Sequence, residues 1–469
     1  MLKPIMRSSA TWAIVAVVAI IVVVAVGVYY FYSIYKPVTT SGVTITYWQA
    51  YSPQEYSAFI TKILPAFEAQ YPNIHIHVDI TNVTLSTTNY ATAAAAGNAP
   101  NVYYDSSNDE GNLYSGGLLV NLKNHINSTY FNSFAPGPLS SVSQANNTVV
   151  FGLPVNENGV LMYYNKHFFP NGIPGNTSAL LADLTTLNQT QHVWGFAYGV
   201  GSTYGYRFAG WLPGFGGQLF QYKTYGAPTL NTSAMINALE FWYNVTYKDH
   251  INAPLGSGAG VSFATGLEGQ LFETSKAAVM FDGPWDLVPL IQALGTNLGT
   301  APEPIVSSTG QHFAPLLGAT AIAVSSSQAS GATAAQINAS ILFAQFLASP
   351  QAELWMYNGT GDLPSNAAAL SSLITSANAG TLLPSFAQSQ NLTASEFSTV
   401  EKGILQQMSG YTSPTPSTPQ MNYYYSGLAD MHTELGLYYT NKTITAQAVA
   451  SCVQAFIASN GTTVLPSCS

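Results

Sequence analysis

The segment that most constrains the fold lies at residues 43–80, where a strand pattern, a capped helix and a second strand pattern follow one another. Residues 43–48 read VTITYW and residues 74–80 read IHIHVDI, and both alternate apolar with polar positions. Between them Ser52 and Glu55 stand at the spacing of a capping box, which starts a helix. Because parallel strands need a crossover connection of this kind, the segment predicts a β-α-β unit. We therefore expect an α/β fold with a largely parallel sheet.

Similar patterns continue along the chain and extend this prediction. The chain has 469 residues, which suffice for two or three domains of roughly 100–200 residues each. Strand alternation recurs at 101–105, 159–164, 277–281 and 319–324, and helical spacing recurs at 233–248 and 334–348. No repeat with a period of roughly 20–50 residues is found, which argues against a solenoid or a propeller. We predict two α/β lobes.

Charged residues are scarce. Asp, Glu, Lys and Arg make up 7% of the chain, against about 25% in a typical soluble domain. The 12 basic and 21 acidic residues offer no phosphate-binding surface, so we expect no nucleic-acid partner. Acid unfolds proteins mainly by protonating carboxylates that are paired in the native state, and a chain with few of them loses little stability as pH falls. We therefore expect an acid-stable protein that faces an acidic medium; the alternative is a surface that is merely polar and neutral.

An apolar run precedes the folded part. Residues 11–35 contain no charge, and roughly 20 such residues suffice to cross a bilayer. Lys3 and Arg7 come before the run, so the positive-inside rule places everything after it outside the cell. No cysteine stands at the end of the run to carry a lipid, and a secretory signal peptide is the alternative. We predict a single-pass membrane anchor at 1–36, a linker at 37–42 and an extracellular folded part.

Two further features agree with an exterior location. The only cysteines, Cys452 and Cys468, lie close together, and a disulfide closing a loop of that size is worth about 3 kcal/mol. Acceptor sites for N-glycosylation are frequent, which predicts a glycoprotein. They are Asn82, Asn127, Asn146, Asn176, Asn188, Asn231, Asn244, Asn338, Asn358, Asn391, Asn441 and Asn460.

Motifs for common enzyme chemistry are absent from the sequence. His75 and His77 share one face of a strand but have no apparent third metal ligand. The chain has no HExxH, CxxC or GxSxG, and the glycine-rich residues 256–260 lack the lysine of a phosphate-binding loop. We expect no metal and no cofactor. Scattered acids such as Glu157, Asp282 and Asp286 leave a glycosidase pair open as an alternative.

Aromatic residues make up 12% of the chain, and several stand beside Gly, Pro or amides. Examples are Trp48 next to Gln49, Tyr206 after Gly205, and Trp285 after Pro284. Uncharged sugars need this mixture, because the apolar face of a pyranose stacks on an aromatic ring while amides and carboxylates bond its hydroxyls. The composition therefore favours a sugar as the small-molecule ligand.

The order of segments resembles the extracellular solute-binding proteins of ABC transporters, specifically the maltose/maltodextrin-binding group. The resemblance covers roughly residues 43–460, and no single segment is specific. The matching segments are 43–49, 97–101 (GNAPN), 115–122 (SGGLLVNL), 151–169 (FGLPVNENGVLMYYNKHFF), 215–220 (FGGQLF), 281–287 (FDGPWDL), 317–326 (LLGATAIAVS), 346–352 (FLASPQA) and 419–421 (PQM).

The resemblance implies a periplasmic-binding-protein-like fold of two lobes joined by hinge strands, near residues 152–158, 299–304 and 361–366. One lobe would combine 43–152 with 303–360, and the other 158–300 with 362–469. The lobes would close on maltose or a malto-oligosaccharide and present it to the permease subunits of an importer, with no enzymatic step. A binder of a monosaccharide or trehalose, a surface glycoside hydrolase and a structural surface-layer or adhesion protein are the alternatives.

The resemblance also implies a set of ligand contacts. Tyr206, Trp285 and Tyr425 match the stacking aromatics of the family, while Tyr204 and Asn158 stand where acids occur in maltose binders. The other expected contacts come from the loop after the first strand, the loop after the second sugar-contacting strand, and positions next to those already named. They are Trp48, Gln49, Tyr51, Asp105, Asn108, Asp109, Glu157, Arg207 and Asp286.

Overall fold

A computed structural model describes residues 42–79, 87–144, 147–199, 204–222, 226–253, 266–416, 418, 420–421, 423–424 and 444–462. The predicted anchor at 11–35 and Cys468 lie outside these residues. None of the helices within the described ranges is long and apolar enough to cross a membrane.

The strands of the described residues, in chain order, are β1 (Val43–Trp48), β2 (Ile74–Asp79), β3 (Val102–Ser106), β4 (Ser143–Gln144), β5 (Val149–Val150), β6 (Leu153–Asn158), β7 (Leu161–Asn165), β8 (Trp194–Ala197), β9 (Ala277–Asp282), β10 (Leu298–Ala301), β11 (Ile305–Val306), β12 (Gln311–His312), β13 (Leu316–Val324) and β14 (Ser413–Pro414).

The α-helices are α1 (Pro53–Ala58), α2 (Leu64–Gln70), α3 (Thr87–Ala95), α4 (Ser107–Ser115), α5 (Pro136–Ser141), α6 (Thr177–Gln191), α7 (Tyr204–Ala209), α8 (Trp211–Gly214), α9 (Ser233–Tyr243), α10 (Leu267–Glu273), α11 (Leu287–Leu294), α12 (Ser327–Ser330), α13 (Ala334–Leu347), α14 (Pro350–Thr360), α15 (Ala367–Ala379), α16 (Ser385–Gln388), α17 (Ala394–Gly410) and α18 (Ala446–Ala458).

The β-α-β unit predicted at the start of the fold is confirmed. Ser52 caps α1, its side chain accepts from the backbone N–H of Glu55, and the Glu55 side chain returns the bond, which completes the capping box. A π-helical turn at Phe59–Ile63 joins α1 to α2. β1 then pairs in parallel with β2, with Val43 opposite Ile74. Local sequence therefore fixes this part of the fold.

Two larger sheets organise the chain. The first has the order β2-β1-β3-β13-β14, with β6 also paired to β13, and the second has the order β10-β7-β9-β8. The expectation of a largely parallel sheet holds for β2-β1-β3, which pair in parallel, but both larger sheets are mixed. β13 runs antiparallel to β3 and β6, and β7 runs antiparallel to both of its neighbours. A β-α-β pattern specifies only its own pair, and strands that enter a sheet from the other half of the chain can run in either direction.

The chain passes between the two sheets in three places. β6 belongs to the first sheet and β7 to the second, while β10 belongs to the second and β13 to the first. The third passage follows α14, where Leu363 pairs with Glu157 and Asn366 pairs with Phe134. The facing edges of the sheets are therefore joined by short segments rather than by one linker.

Separate hydrophobic cores support the sheets. Phe59, Phe67 and Phe343 pack on the first sheet. The second sheet is covered on both faces, because alternate residues of a strand point to opposite sides. Thus Met162 packs into a cluster with Trp211, Trp242 and Phe281, whereas its neighbours on β7 pack into another cluster under α11 and α17. These cores hold the elements that carry the site.

The predicted glycosylation sites lie at or near the surface wherever the structure describes them. Exposed positions are Asn127, Asn176, Asn231, Asn338, Asn358, Asn391 and Asn460, and partly buried ones are Asn188 and Asn244. Asn82, Asn146 and Asn441 lie outside the described residues. Glycosylation stays a prediction.

Several carboxyl groups are buried close to the passages between the sheets. Burial raises the pKa of Glu157 to about 8 and that of Glu401 to about 8. The pKa of Asp362 rises to about 7, through burial first and then through the negative charge of Glu55. Burial also raises the pKa of Glu303 and of Glu353 well above the usual range. In acid these groups are protonated, so they are neutral where a carboxylate would be poorly solvated.

Gly403 of α17 packs tightly against β10 of the second sheet. A β-carbon there would lie 2.3 Å from Thr300 Oγ1 and 2.5 Å from the Thr300 carbonyl oxygen. We predict that Gly403→Ala lowers the free energy of unfolding by about 1–3 kcal/mol, because the helix must move off β10. Gly410→Ala on the same helix is the control, since nothing lies within 4 Å of its β-carbon. Urea unfolding of both variants checks this, and equal stabilities would contradict it.

Glu401 is fully buried on α17 and approaches Tyr357. The pKa of a glutamate in the unfolded chain is 4.5, and burial raises the pKa of Glu401 in the folded chain to about 8. Between these values the folded state keeps a proton that the unfolded state has released, so the free energy of unfolding falls as pH rises. We predict that the melting temperature drops from pH 4 to pH 8 and that Glu401→Gln makes this drop shallower.

The matched control for that experiment is Glu396→Gln, on the same helix. Glu396 is exposed, and the N–H and hydroxyl of Thr393 lower its pKa. Its contribution to stability is therefore lost as pH falls, which is the opposite direction. Thermal unfolding followed by circular dichroism gives the melting temperature of each variant against pH. If the melting temperature of Glu401→Gln changes with pH as steeply as that of the parent chain, the raised pKa of Glu401 is contradicted.

Candidate functional site

A cleft of about 680 Å³ lies between the two sheets. The loop after β1, the end of β3, and parts of β6 and β13 form the wall on the side of the first sheet. The end of α10 and the segment that follows β9 form the wall on the side of the second sheet. The lining residues include Ala50, Ser52, Gln54, Glu55, Tyr104, Asp105, Ser106, Asn156, Asn158, Thr320, Glu273, Trp285, Asp286, Gln292, Thr360 and Asp362. The carboxyl ends of β1, β3 and β9 lie at this cleft. Ligand sites of α/β proteins commonly lie beyond the carboxyl ends of strands.

Trp285 forms the aromatic part of the second wall. β9 ends at Asp282, and its carboxylate accepts from the indole N–H of Trp285 at 2.9 Å and from the backbone N–H of Gly283 at 2.8 Å. The indole lies directly over Gly283, where a β-carbon would come within 2.2 Å of the ring. The glycine therefore makes room for the ring, and the aspartate fixes its orientation.

A buried ion network supports this arrangement from behind. Arg207 of α7 pairs with Glu268, and its other terminal nitrogen lies 3.8 Å from Asp282 Oδ2. Glu268 also accepts from the backbone N–H of Gly199 at 2.7 Å. Burial raises the pKa of Asp282 to about 6, although the charge of Arg207 opposes the rise. The guanidinium thus keeps the acceptor of the Trp285 N–H in place.

Carboxyl groups stand beside amides and hydroxyls in the polar lining of the cleft. Glu55, Asp105, Glu273, Asp286 and Asp362 line it, and no Lys, Arg or His does so among the described residues. Glu55 accepts from the Tyr104 hydroxyl at 2.7 Å, and Asp105 accepts from the Tyr103 hydroxyl at 2.5 Å. The cleft therefore offers acceptors to a ligand rich in O–H or N–H donors, and it disfavours an anion.

Amide groups from β6 add uncharged contacts. Asn156 and Asn158 are two residues apart on the strand, so their side chains share the cleft face. The Asn156 side chain accepts from the backbone N–H of Thr320 at 2.8 Å, and the Asn158 amide bonds the Thr320 hydroxyl at 2.9 Å. These bonds order the floor of the cleft where the two strands cross between the sheets.

The structure brings together four of the residues predicted as ligand contacts. Asp105, Asn158, Trp285 and Asp286 all line the cleft, although they come from distant parts of the chain. Their role in binding stays a proposal. Asn108, Asp109 and Tyr204 lie on described helices, but their side chains are not among the described ones, and Tyr425 lies outside the described residues.

Other predicted contacts lie behind the lining. The ring of Tyr51 packs 4.5 Å from that of Tyr104 and its hydroxyl bonds that of Tyr47 at 2.8 Å, while Gln49 accepts from the Tyr51 N–H. Trp48 packs against the core of the first sheet. The loop after β1 thus turns these side chains inward, and its next residues form the wall instead.

Tyr206, Arg207 and Glu157 are likewise displaced from the lining. The hydroxyl of Tyr206 donates to the carbonyls of Asn158 and Leu316, at 3.2 Å each, and its ring centroid lies 6.5 Å from that of Trp285. It therefore links α7 to the crossing strands. Arg207 is held by its carboxylate partners, and Glu157 points to the opposite face of β6 from Asn158.

Sequence reasoning missed several lining residues. Asn156 could have been found, because it is two positions from Asn158 on a strand pattern. Glu55 was explained only as a capping residue, and Tyr104 only as part of a strand. Glu273 and Asp362 have no local signal, since tertiary structure alone brings them to the cleft. No group of three or more His, Cys, Asp or Glu that could hold a metal ion occurs among the described residues.

Removing the buried cation tests the ion network. We predict that Arg207→Met lowers the free energy of unfolding by about 3–5 kcal/mol, because Glu268 and Asp282 lose their common partner. Lys276→Met is the control, since Lys276 is exposed and near the same strand. Chemical denaturation measures both, and an Arg207→Met variant as stable as the control would contradict the network.

A family model described as a bacterial extracellular solute-binding protein matches residues 62–381, which is more than half of the chain. Among curated relatives, the maltooligosaccharide ABC transporter solute-binding lipoprotein of Streptococcus pneumoniae is 23% identical over 356 residues, covering 72% of this chain and 76% of the relative. Proteins of this class bind solutes and do not transform them, which agrees with the prediction that the chain is not an enzyme.

Solved structures show the same two-lobed fold. The maltose/maltodextrin-binding domain MalE from Bdellovibrio bacteriovorus, bound to maltotriose, has a TM-score of 0.68 and 20% identity, covering 89% of this chain and 99% of that chain. The maltose-maltodextrin binding protein of the thermoacidophilic bacterium Alicyclobacillus acidocaldarius has a TM-score of 0.65 and 19% identity, covering 88% and 99%. The chain belongs to the family of bacterial extracellular solute-binding proteins.

Proposed function

We propose that this chain is the sugar-binding subunit of an ABC importer and that it takes maltose or a malto-oligosaccharide into the cleft for delivery to the permease. The observation that carries the proposal is the position of Trp285, an oriented and partly buried indole in a cleft whose polar lining consists of carboxyls, amides and hydroxyls. The printed descriptions of the relatives, which name maltooligosaccharide and maltotriose, support the same class of ligand.

The chemistry of the wall suits an uncharged sugar. A pyranose has an apolar C–H face that stacks on an indole, and its hydroxyls donate to carboxylates and to amide oxygens. Glu55, Asp105, Asp286 and Asp362 provide such acceptors on both sides of the cleft. A sugar that carries a carboxylate or a phosphate would face these acids without a cation from the described lining.

The cleft lining bears on the number of sugar rings that can stack. Tyr206 and Trp285 both match the stacking aromatics of the family, but Tyr206 uses its hydroxyl at the crossing strands and does not line the cleft. Tyr104 lines the opposite wall and is almost fully buried, at 4% exposure. We therefore propose one stacking platform, at Trp285, and leave chain length to the titration described below.

The same proposal assigns the passages between the sheets as hinges. The lobes would be residues 43–152 with 303–360 and residues 158–300 with 362–469, as the resemblance implies. Short crossing segments allow rigid lobes to rotate while each core stays intact. The Tyr206 hydroxyl, bonded to Asn158 and Leu316, would then mark the axis about which the cleft closes.

We further propose that the binding domain is held at the cell surface by residues 11–35 as a single-pass anchor, that Cys452 pairs with Cys468, and that the exterior is acidic. The scarcity of charge and the buried carboxyls of raised pKa support the last point. Protease protection of the N-terminus in intact cells tests the single-pass anchor. Mass analysis without reduction tests the disulfide between Cys452 and Cys468.

Replacement of Trp285 tests the site directly. We predict that Trp285→Ala weakens maltotriose binding by about 10- to 100-fold, because the stacking surface is lost, while the fold is kept. Gly283→Ala should also weaken binding, since it displaces the ring without removing it. Trp194→Ala, at a partly buried position outside the cleft, is the control.

The experiment is a titration of the full chain at pH 3 and pH 6 with maltose, maltotriose, trehalose, glucose and short peptides, followed by tryptophan fluorescence and by chromatography of the sugars. Tight binding of an intact malto-oligosaccharide that depends on Trp285 supports the proposal. Binding of glucose or trehalose alone would change the ligand, cleavage would make the chain a glycoside hydrolase, and a response to peptides alone would overturn the sugar assignment.

A further inference from the structure

A second cavity, of about 370 Å³, lies on the opposite side of the crossing strands from the cleft. We call it the rear cavity. Its walls are mostly apolar and come from α5, β13, β14, α15 and α17. They include Pro136, Leu317, Leu370, Ile374, Leu405 and Met408. The volume lies within the range of small-molecule sites, which begins near 300 Å³.

The alternation of β6 places the two cavities back to back. Asn156 and Asn158 face the cleft, and Glu157 between them lines the rear cavity. The backbone of Glu157 is fixed, because its N–H donates to the carbonyl of Leu363 at 2.7 Å. The carboxyl group therefore enters the rear cavity from a strand that joins the two sheets.

Glu157 is the group with spare hydrogen-bonding capacity in this cavity. It is 4% exposed, and no residue of the described part of the chain forms a hydrogen bond with its side chain. The two hydroxyls on the wall are already used within α17 and its end, since Ser409 donates to Leu405 and Thr412 donates to Met408. Because the Glu157 carboxyl lines the cavity, a bound molecule with a polar group could form the hydrogen bond that the described residues do not supply.

The charges around the cavity select the kind of polar group. An anionic head would face the Glu157 carboxyl, whose negative charge already raises the pKa of the nearby Glu353. No Lys, Arg or His lines the rear cavity among the described residues. An ammonium head would require an ionised Glu157 among leucines, and a buried ion pair in such surroundings repays little of its desolvation. A hydroxyl avoids both costs, because it donates to and accepts from a protonated carboxyl.

We propose that the rear cavity is a binding site for a small aliphatic molecule with one uncharged hydroxyl group, which bonds Glu157 while its hydrocarbon part packs on the leucine walls. The raised pKa of Glu157, about 8, agrees with a neutral carboxyl below that pH. A molecule bound there touches β6 and β13 on one side and α15 and α17 on the other, so it stabilises their relative position. The site does not depend on which solute the cleft takes.

Three probes with one ring and different heads test the proposal: cyclohexanol, cyclohexylammonium and cyclohexanecarboxylate. Each is titrated calorimetrically into the full chain at pH 5, without sugar. We expect saturable cyclohexanol binding with a dissociation constant on the order of 1 mM, and at least tenfold weaker binding of the two ions. Absence of saturable cyclohexanol binding, or tighter binding of either ion, would overturn the proposal.

Variants locate the site. Ser409→Phe fills the rim of the cavity from an exposed position, and Ser395→Phe, exposed on the same helix but outside the cavity, is its control. Cyclohexanol binding should be lost in the first and kept in the second. Glu157→Leu should weaken cyclohexanol binding about tenfold, as for one lost hydrogen bond. In the parent chain we expect cyclohexanol binding to weaken above pH 8, where Glu157 ionises. Glu157→Gln should bind cyclohexanol as the parent chain does below that pH and should not show the weakening above it. Equal binding in Ser409→Phe and Ser395→Phe would place the probe elsewhere.

Discussion

The ion pairs of the buried Arg207 guanidinium determine how the second wall of the cleft is built. They hold Asp282, and Asp282 in turn accepts from the Trp285 indole and the Gly283 backbone. Without a cation behind it, an aspartate at the end of a buried strand would be protonated more readily and would orient the ring less firmly. A hydrophobic sheet, an ion network and an aromatic surface thus form one continuous unit from core to cleft.

The placement of the acids explains how a chain with so little charge makes a polar site. Several carboxyls gather at the cleft and at the passages between the sheets, including Glu55, Asp105, Glu157, Asp362 and Glu303. At the passages burial makes them weak acids, so they act as neutral hydrogen-bonding groups in an acidic medium. The free energy of unfolding falls as these groups ionise with rising pH, which agrees with the proposal of an acidic exterior.

The sequence predicts the local structure well and the site only in part, for physical reasons. The unit from β1 to β2 follows from alternation and a capping box, both of which are local signals. Strand direction in the mixed sheets depends on where the chain returns from the other half, which no local pattern encodes. The same holds for side-chain direction after a strand, so Tyr51 was assigned to the cleft although its ring packs against Tyr104. Asp362 reaches the cleft only through the third passage.

The proposed function requires a cleft that closes on a sugar by rotation of two intact lobes. The most direct measurement uses spin labels at Ser57 and Ala293, two exposed positions on α1 and α11, the helices that border the two walls. Pulsed electron paramagnetic resonance then gives the distance distribution across the cleft, without sugar and with saturating maltotriose. We expect a shorter and narrower distance distribution with maltotriose and no change with sorbitol. Maltotriose that binds tightly and leaves the distribution unchanged would contradict the closure.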